Sequence, residues 1–423
     1  MVDFDEPTMA VLVRSPESIF AWPCIAGRGF APAMVCALAA TFLSQPAVAD
    51  ELDTLNVTVG ITRTYYDNVF AVPDSVPKQS DFGNVYSVGV RLDKPYSLQR
   101  FHLSATESRT RYDALPNLDF DSRNYRAAWL WALTPNLTGS LSEDRAQSQI
   151  PFSLVGGTQS NQSTSVNRNF TLDAWVAGAW HVFGGYGTSD STTTQTILQT
   201  PAFISHHIEG GVRYVARSGN SITFLQRWIP TDNTNVSLDP INLIDTGYTD
   251  RESDLSVGWT PTGKSSFTGG VTYKARDNMH FSQRNFSGTA GRLNYNWAPT
   301  GKLTITVTGA RTIGPYAAFG NSLENSTYVV NQTAVLAAGW SISGKTTANL
   351  SFSRTHSDYR GPVFVVTSPA RVDDLNVAQI GINWSPDRWI SLNASLVHSD
   401  RSSNIATVQF TGNTAAITAS LRF

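Results

Sequence analysis

Apolar and polar residues alternate along many segments of the chain, most clearly at its end. Ala415, Ile417, Ala419, Leu421 and Phe423 alternate with small or polar residues. A period of two places successive side chains on opposite faces of an extended strand. The segment is therefore predicted to be a strand with one apolar face. We expect it to pair with the first strand and close a barrel, because closure removes the unpaired edges that an open sheet exposes.

The same alternation recurs upstream and is repeatedly followed by a tryptophan and a tight turn. Trp259, Trp297, Trp340 and Trp384 lie roughly 40 residues apart, about one hairpin plus one longer loop. Tryptophan prefers the membrane–water boundary, where its apolar ring and its N–H are both accommodated. A propeller or solenoid also repeats at this period, but no fixed blade motif is present. We predict an aromatic girdle at the short-turn end, formed by Trp131, Trp259, Trp297, Trp340, Trp384 and Phe423.

These patterns predict an all-β fold, a transmembrane antiparallel up-and-down barrel. From Leu55 to Phe423 the alternation gives 18 strands, with 16 as the alternative count. Short turns are assigned to the periplasmic side and longer loops, such as residues 151–167, to the extracellular side. Residues 186–200, almost all Ser, Thr and Gln, are counted as a strand. A soluble β-sandwich with a final edge strand is the competing interpretation.

The N-terminal region has the composition of a secretory signal. Arg28 precedes an apolar run over residues 30–43, and Ala47 and Ala49 supply an A-x-A cleavage site. We predict that residues 1–49, a signal peptide with an N-terminal extension, are removed and that residues 50–423 form the barrel. Cys24 and Cys36 both precede the cut, so the mature chain is expected to contain no disulfide or cysteine metal site.

Residues between the apolar positions are predicted to face the lumen. They include His102 and the acids Asp173, Glu209, Glu252 and Asp254, against a larger basic set. Charges in a narrow pore concentrate the opposite ion. One hypothesis is a basic path for an anionic or polar glycan; the alternative is that the inward charges pair with one another. The basic path comprises Arg91, Arg100, Arg126, Arg213, Arg227, Lys274, Arg292 and Arg422.

Catalytic chemistry has little support in the sequence. The pair His206 and His207 stands in no distinctive motif, and the carboxylate pairs 119/121 and 252/254 are candidates for glycosidase chemistry by count alone. No Walker-type loop, dinucleotide fingerprint or HExxH sequence is present. We predict a non-enzyme without catalytic, cofactor-binding or metal residues and without a nucleic-acid partner.

Aromatic residues also mark the predicted extracellular strand ends and loops. A girdle at the outer interface is the favoured explanation, and stacking on sugar rings is the alternative. The residues concerned are Tyr65, Tyr66, Phe70, Tyr112, Phe120, Tyr316, Phe319, Tyr359 and Phe364.

Several separated motifs resemble the EpsL family of predicted outer-membrane β-barrels from exosortase-associated exopolysaccharide operons. The resemblance covers nearly the whole mature chain. It implies a role in making or exporting an extracellular polysaccharide, and it assigns no functional residue. The motifs are residues 93–96 (DKPY), 118–121 (LDFD), 124–131 (NYRAAWLW), 213–220 (RYVARSGN), 281–284 (FSQR) and 358–364 (DYRGPVF).

Three function classes remain open. The first is an outer-membrane barrel for exopolysaccharide biosynthesis or export, with outer-membrane lipid, extracellular polysaccharide and periplasmic or inner-membrane export components as partners. The second is a general diffusion porin or passive structural barrel. The third is an outer-membrane hydrolase that trims lipid or glycan. In each class we expect the chain to reach the Gram-negative outer membrane and to meet the barrel assembly machinery through its C-terminal strand.

Overall fold

A computed structural model describes residues 54–155, 157–195, 201–315, 326–361 and 370–423. These residues form one 18-stranded antiparallel sheet. The strands are β1 Leu55–Tyr66, β2 Asp81–Tyr96, β3 Gln99–Tyr112, β4 Phe120–Thr134, β5 Leu137–Gln149, β6 Gln162–Ala177, β7 Trp180–Thr193, β8 Phe203–Val215, β9 Ser221–Asn233, β10 Gly247–Thr262, β11 Ser265–Asn278, β12 Phe286–Trp297, β13 Leu303–Pro315, β14 Tyr328–Ser343, β15 Thr346–Arg360, β16 Val372–Asp387, β17 Ile390–Ser403 and β18 Phe410–Arg422.

The sheet closes on itself by pairing its last strand with its first. Residues 414–422 of β18 pair antiparallel with residues 58–66 of β1. The seam continues through the final residue, because Val57 N donates to Phe423 O at 2.7 Å and Phe423 N donates to Val57 O at 2.8 Å. Each other strand pairs with its sequence neighbours. The predicted count of 18 and the predicted closure are both confirmed.

Connections at the two ends of the barrel differ in length. At one end the hairpins turn within two to five residues, as between Tyr96 and Gln99, whereas at the other end β1 and β2 are joined by residues 67–80. This asymmetry is typical of outer-membrane barrels, in which the longer loops are extracellular. The predicted arrangement of turns and loops is therefore confirmed.

The predicted boundaries were wrong where strands leave the membrane. Strand β6 begins at Gln162, inside the segment 151–167 that was predicted to be a loop. Strand β7 spans Trp180–Thr193, whereas 186–200 was predicted; residues 196–200 lie outside the described chain. The reason is physical: above the hydrocarbon both strand faces meet water, so a strand continues there without an apolar face and the alternation fades.

The two faces of the barrel wall differ in character. On β15, Leu350 and Phe352 point outward and are exposed, whereas Ser351 and Ser353 point inward. Outward apolar residues also occupy every second position of β16 and β18, including Ile380, Ile382 and Ile417. Within the described part of the chain, no helix is both long and apolar enough to span a membrane. The outward apolar rows of the strands provide the surface that meets lipid.

The predicted signal peptide, residues 1–49, lies outside the described residues, as do Cys24 and Cys36. The cleavage site and the absence of thiols from the mature chain stay predictions.

Leu350→Arg tests the assignment of the two faces. Leu350 points outward beside Ala338 and Ile380 of the neighbouring strands. A guanidinium there would lie in hydrocarbon, which costs about 2–4 kcal/mol near the midplane. We expect the free energy of unfolding, measured by denaturant titration in lipid vesicles, to fall by about that amount.

Ser351→Arg is the matched control, because the neighbouring side chain points into the lumen. Its unfolding free energy should stay within about 0.5 kcal/mol of the unsubstituted protein. Equal losses in both variants would contradict the assignment of the two faces, and a larger loss in Ser351→Arg would show that they are reversed.

Candidate functional site in the barrel lumen

The eight basic residues of the predicted path all lie on the inward face of their strands. Arg213, for example, alternates with exposed Val212 and Tyr214, and Arg292 precedes exposed Leu293. The Arg292 side chain is nevertheless 55% exposed. An inward side chain with that exposure requires a lumen wide enough for solvent.

Opposite charges alternate along one row that crosses four strands. Glu209 on β8 lies opposite Arg227 on β9, which lies opposite Glu252 on β10, which lies opposite Lys274 on β11. Arg227 contacts Glu209 at 2.6 Å and Glu252 at 3.3 Å, and Lys274 Nζ lies 3.1 Å from Glu252. Directly opposed residues of opposite charge stabilise neighbouring strands. The row therefore both joins the strands and places charge on the lumen surface.

A second layer of ion pairs extends this row toward the extracellular end. Lys274 Nζ also lies 2.9 Å from Asp250, which makes a two-pronged contact with Arg276 at 2.6 Å through each oxygen. The Arg276 guanidinium lies 3.4 Å from the ring centroid of Tyr248, a cation–π contact. Arg276 and Asp250 are both buried, so this pair is shielded from water on the lumen side.

Arg292 reaches across an entire strand to find its partner. It lies on β12, but its two terminal nitrogens bond to Asp254 of β10 at 2.6 and 2.8 Å. The strand between them, β11, carries Gly270 at the crossing point, where an added Cβ would lie 3.0 Å from the guanidinium carbon. Glycine at this position therefore leaves the space through which Arg292 passes.

Arg213 makes a similar crossing over β7. It pairs with Asp173 of β6, and His181 of β7 lies 2.7 Å from the same carboxylate. Together with the pairs above, five basic and five acidic side chains line β6 to β12. We call these residues the charged wall: Asp173, Glu209, Arg213, Arg227, Asp250, Glu252, Asp254, Lys274, Arg276 and Arg292.

The remaining residues of the predicted path lie elsewhere on the lumen surface. Arg100 pairs with Asp93 through two 2.8 Å hydrogen bonds. Arg91 and Arg126 flank Ser104 on β2, β3 and β4, and both are exposed. Neither forms an ion pair with any residue that the structure describes. Arg422 lies opposite Thr58 at the seam.

The part of the wall formed by β13 to β15 is lined mainly by hydroxyl and amide side chains. Thr333 and Thr355 share a hydrogen bond of 3.0 Å, and Ser357 donates to Asn331 at 2.7 Å. On β13 the inward positions include Thr304, Thr306 and Thr308. We call this surface the neutral wall. Charged and neutral chemistry thus occupy different sectors of the same lumen.

Three extracellular loops fold together over part of the mouth. Phe70 of the β1–β2 loop, Leu115 and Leu118 of the β3–β4 loop, and Phe152 of the β5–β6 loop form one buried apolar cluster. Phe70 and Phe152 meet edge to face with ring centroids 4.9 Å apart. We call this cluster the mouth cap. Tyr112, an inward residue at the end of β3, packs against it.

One hydrogen bond shows that the cap reaches across the mouth. Phe152–Val155 form a single-turn helix, α1, in the β5–β6 loop. Arg401 on β17 donates to the carbonyl of Ser153 in this helix at 2.8 Å. Strands β5 and β17 are separated around the barrel by β18, β1, β2, β3 and β4. The β5–β6 loop therefore extends inward, and the cap narrows the extracellular opening.

A second loop contact is organised by a buried carboxylate. Asp245 of the β9–β10 loop accepts hydrogen bonds from the His280 ring at 2.9 Å and from the backbone N–H groups of His280 and Phe281. Burial raises the pKa of Asp245, but these bonds together with one from Gly247 outweigh it and hold the pKa below its ordinary value. The charged form of Asp245 therefore joins the β9–β10 and β11–β12 loops.

The tryptophans of the predicted girdle all lie near the short-turn end on outward strand positions. Trp259, Trp297, Trp340 and Trp384 are exposed. Trp131 is half-buried because its ring lies over Gly139 and stacks on Phe170 at 6.3 Å. Phe423 ends the outward row of β18. Two further exposed tryptophans lie at this end, Trp180 just after its turn and Trp389 as the last residue of its turn, so a search for Trp before a turn does not find them.

The outer aromatics do not form the simple girdle that the sequence suggested. Tyr65 is outward and exposed, but Phe70 belongs to the mouth cap and Phe120 is buried on an inward position. Loop aromatic residues such as Phe70, which the sequence pattern places at an exposed boundary, pack against residues of other loops. Tyr66, Tyr112 and Tyr359 also occupy inward positions, whereas Tyr316, Phe319 and Phe364 lie outside the described residues.

Most of the residues considered for catalysis have other contacts in the structure. His206 and His207 point to opposite faces, and His206 bonds instead to the Tyr186 hydroxyl at 3.1 Å. Glu252 and Asp254 are each held by basic partners in the charged wall. The Asp119 carboxylate accepts the Tyr112 N–H at 2.9 Å. Among the described residues, no three His, Cys, Asp or Glu side chains form a metal-binding group.

No protein-family model and no curated protein matches the chain. Among solved structures, OpdK of Pseudomonas aeruginosa with vanillate aligns with a TM-score of 0.49 at 8% identity, over 87% of this chain and 99% of that chain. OccK5 (OpdH) of the same organism aligns with a TM-score of 0.49 at 10% identity, over 89% of this chain and 100% of that chain. The ferric enterobactin receptor PfeA of the same organism, with enterobactin, aligns with a TM-score of 0.47 at 9% identity, over 89% of this chain and 82% of that chain.

With TM-scores below 0.5, these likenesses add nothing to what the strand pairing itself shows, and the ligands of those proteins do not transfer to this chain. The resemblance to the EpsL family stays a prediction. The chain's own closed pairing, outward apolar residues and solvated lumen define a transmembrane antiparallel β-barrel of the outer-membrane type.

Phe152→Ala tests the mouth cap. Phe152 is 8% exposed in the cap, and truncating a buried Phe costs about 3–5 kcal/mol of local stability. We expect limited proteolysis of the β5–β6 loop to accelerate at least about tenfold, because local opening exposes its backbone. Single-channel conductance should rise as the loop leaves the mouth.

Leu154→Ala is the matched control, because Leu154 lies in the same helix but is 54% exposed. Its proteolysis rate and conductance should stay close to those of the unsubstituted protein. If Phe152→Ala also leaves both unchanged, the cap does not restrict the mouth.

The Asp245 contact predicts a loop that loosens in acid. Because the folded pKa lies below the unfolded value, the stabilisation is complete above about pH 4 and is lost as pH falls through the folded pKa. Exchange protection of the His280 and Phe281 amides, corrected for the intrinsic rate, should fall as the pH is lowered from 5 to below about 4. Asp245→Asn should show low protection throughout. Protection that persists in this variant would contradict the assignment.

Proposed function

We propose that this protein is an outer-membrane pore that passes small polar solutes. The observation that carries the proposal is the solvated, polar inward face of a closed barrel, seen most directly in the exposed yet inward Arg292. A barrel whose interior were packed with apolar side chains would bury this guanidinium. The mouth cap then acts as a size filter at the extracellular opening.

The outer membrane is the compartment that this architecture suits. In hydrocarbon every backbone N–H and C=O needs a protein partner, and a closed barrel of strands supplies one. Outward rows of apolar residues with tryptophans near the short turns support a lipid environment. The extracellular loops carry the cap, which places the filter on the side where solutes arrive.

The charged wall favours weak rather than strong ion selectivity. Its five basic and five acidic residues pair with one another, so they neutralise the long-range field that would otherwise exclude one sign of ion. This pairing supports passage of neutral and zwitterionic solutes. It weakens the idea of a continuous basic path.

A second candidate is the passage of an anionic glycan during exopolysaccharide export. The observation that favours it is the pair Arg91 and Arg126, which are exposed in the lumen and form no ion pair within the described chain. Guanidinium groups bind carboxylates in two-pronged geometry. The neutral wall adds hydroxyl and amide groups that hydrogen-bond to sugars. Periplasmic export components and the barrel assembly machinery are the partners that this candidate requires.

Conductance in a planar bilayer tests the pore. We expect an open channel with a cation-to-anion permeability ratio close to one. Glu252→Gln removes one acid from the balanced wall and should lower this ratio about twofold, measured from the reversal potential in a salt gradient. Asp374→Asn is the control, because Asp374 is an outward acid paired with Arg354. Absence of any conductance would overturn the pore.

Sugar permeation separates the two candidates. In proteoliposomes, Arg91→Gln combined with Arg126→Gln should slow uptake of an acidic oligosaccharide severalfold and leave a neutral one of equal size unchanged if the glycan reading holds. If the acidic and the neutral sugar enter at equal rates, in the unsubstituted protein and in the double variant alike, the general pore is favoured. Deletion in the host then checks the assignment: export failure lowers extracellular polysaccharide and raises the periplasmic amount.

A further inference from the structure

The outer wall of the barrel carries a cluster of arginines where lipid would be expected. Arg109, Arg123, Arg145 and Arg168 lie on β3 to β6 at outward positions, on the same faces as exposed Leu103, Tyr125, Leu141 and Phe170. Their strands place them on the extracellular side of these apolar residues. We call the four residues the outer arginine patch.

The patch is continuous because neighbouring strands bring its members together. Arg123 lies opposite Glu107, and Arg168 lies opposite Glu143. Arg145 lies opposite Tyr125 and donates to the backbone carbonyl of Arg123. With strands about 4.8 Å apart, the four strands span about 14 Å of the outer surface.

Three carboxylates, those of Glu107, Glu143 and Asp121 opposite Arg109, only partly neutralise the four guanidinium groups. Glu107 lies 3.6 Å from Arg123 and 3.8 Å from Arg109, and Glu143 lies 2.6 Å from Arg168. At the extracellular edge of the patch, Arg111 forms ion pairs with Asp119 at 3.4 Å and with Asp121 at 3.6 Å. The patch itself therefore keeps an excess of positive charge.

The charge of these side chains, and their position beyond the apolar residues of the same strands, indicate where they lie relative to the membrane. The Arg123 side chain is 77% exposed and that of Arg168 is 55% exposed. Such groups are costly in hydrocarbon but stable at headgroup level. Tyr125 and Phe170, next to them toward the short-turn end, are suited to the boundary between acyl chains and headgroups. The arginines thus lie level with the headgroups of the outer leaflet.

We propose that the outer arginine patch binds a phosphorylated glycolipid of the outer leaflet. Guanidinium groups pair with phosphate in two-pronged, charge-assisted hydrogen bonds. A width of about 14 Å suits a sugar headgroup with separated phosphates better than one phosphate ion. Glu107 and Glu143 orient the guanidinium groups. The N–H donors that these carboxylates do not use can bind a phosphate. The inference requires only that the barrel lies in the outer membrane, and it is independent of what passes through the lumen.

Lipid binding by the full-length mature barrel tests this site. The probe is a purified lipid A with both phosphates, compared with the same lipid after enzymatic dephosphorylation, each added to the detergent-solubilised protein and followed by native mass spectrometry. We expect the bisphosphorylated lipid to bind at least about tenfold more tightly. Arg123→Gln combined with Arg168→Gln should remove most of this preference.

Arg251→Gln is the matched control. Arg251 is also outward and well exposed, but on β10, where it pairs with Asp277 at 3.0 Å. This variant should keep the full preference, and thermal unfolding in detergent alone should be unchanged in all three proteins. Equal binding of the two lipids, retention of the preference in the double variant, or displacement of the lipid by millimolar inorganic phosphate would each overturn the proposal. Single-channel conductance should be unaffected, which separates this site from the proposed pore.

Discussion

The structure depends on the need of every backbone N–H and C=O in hydrocarbon for a partner within the protein. A sheet meets this need only when its first and last strands join. The seam between β1 and β18 does so through residue pairs from Thr58 to Tyr66 and through the reciprocal bonds of Val57 with Phe423. Once the sheet is closed, each strand has one lipid face and one lumen face. The chemistry of the lumen is therefore a consequence of pairing and register.

Register brings the charged wall together. Glu209, Arg227, Glu252 and Lys274 are far apart in sequence, yet strand pairing places them side by side at one level. A shift of one residue in any of these strands would turn its charge toward lipid. The same interactions thus specify the register and create the polar lumen surface. The crossing of Arg292 over Gly270 adds a contact between strands that are not neighbours.

Much of the fold could be predicted from the sequence because its cause is local. Alternation in β16 and β18, and tryptophans before short turns, report directly on the lipid face. Strand ends such as Gln162 could not be placed, since above the membrane the two faces experience the same solvent. The inward positions of the basic residues followed from alternation, but their partners did not. Two of these pairs, Arg213 with Asp173 and Arg292 with Asp254, form across an intervening strand. No local sequence pattern predicts such a contact.

The mouth cap was missed for a related reason. Phe70, Leu118 and Phe152 come from three loops, and their contact depends on how those loops fold over the mouth. Aromatic loop residues were therefore interpreted as part of a boundary layer, although some are the apolar core of a small loop assembly. The outer arginine patch is the opposite case, because the alternation does predict the face on which its residues lie. Its residues follow the outward parity of the apolar rows, and their charge shows that the rows leave the hydrocarbon there.

The alternation of sign along the charged wall limits how far its influence extends. Neighbouring strands lie about 4.8 Å apart, so positive and negative potentials cancel within a comparable distance of the surface. A solute that travels along the axis of the lumen experiences almost no force from these residues. One that touches the wall meets strong fields that reverse within the length of a single sugar ring. Discrimination by this surface is thus a matter of contact and shape, and changes in ionic strength should alter it little.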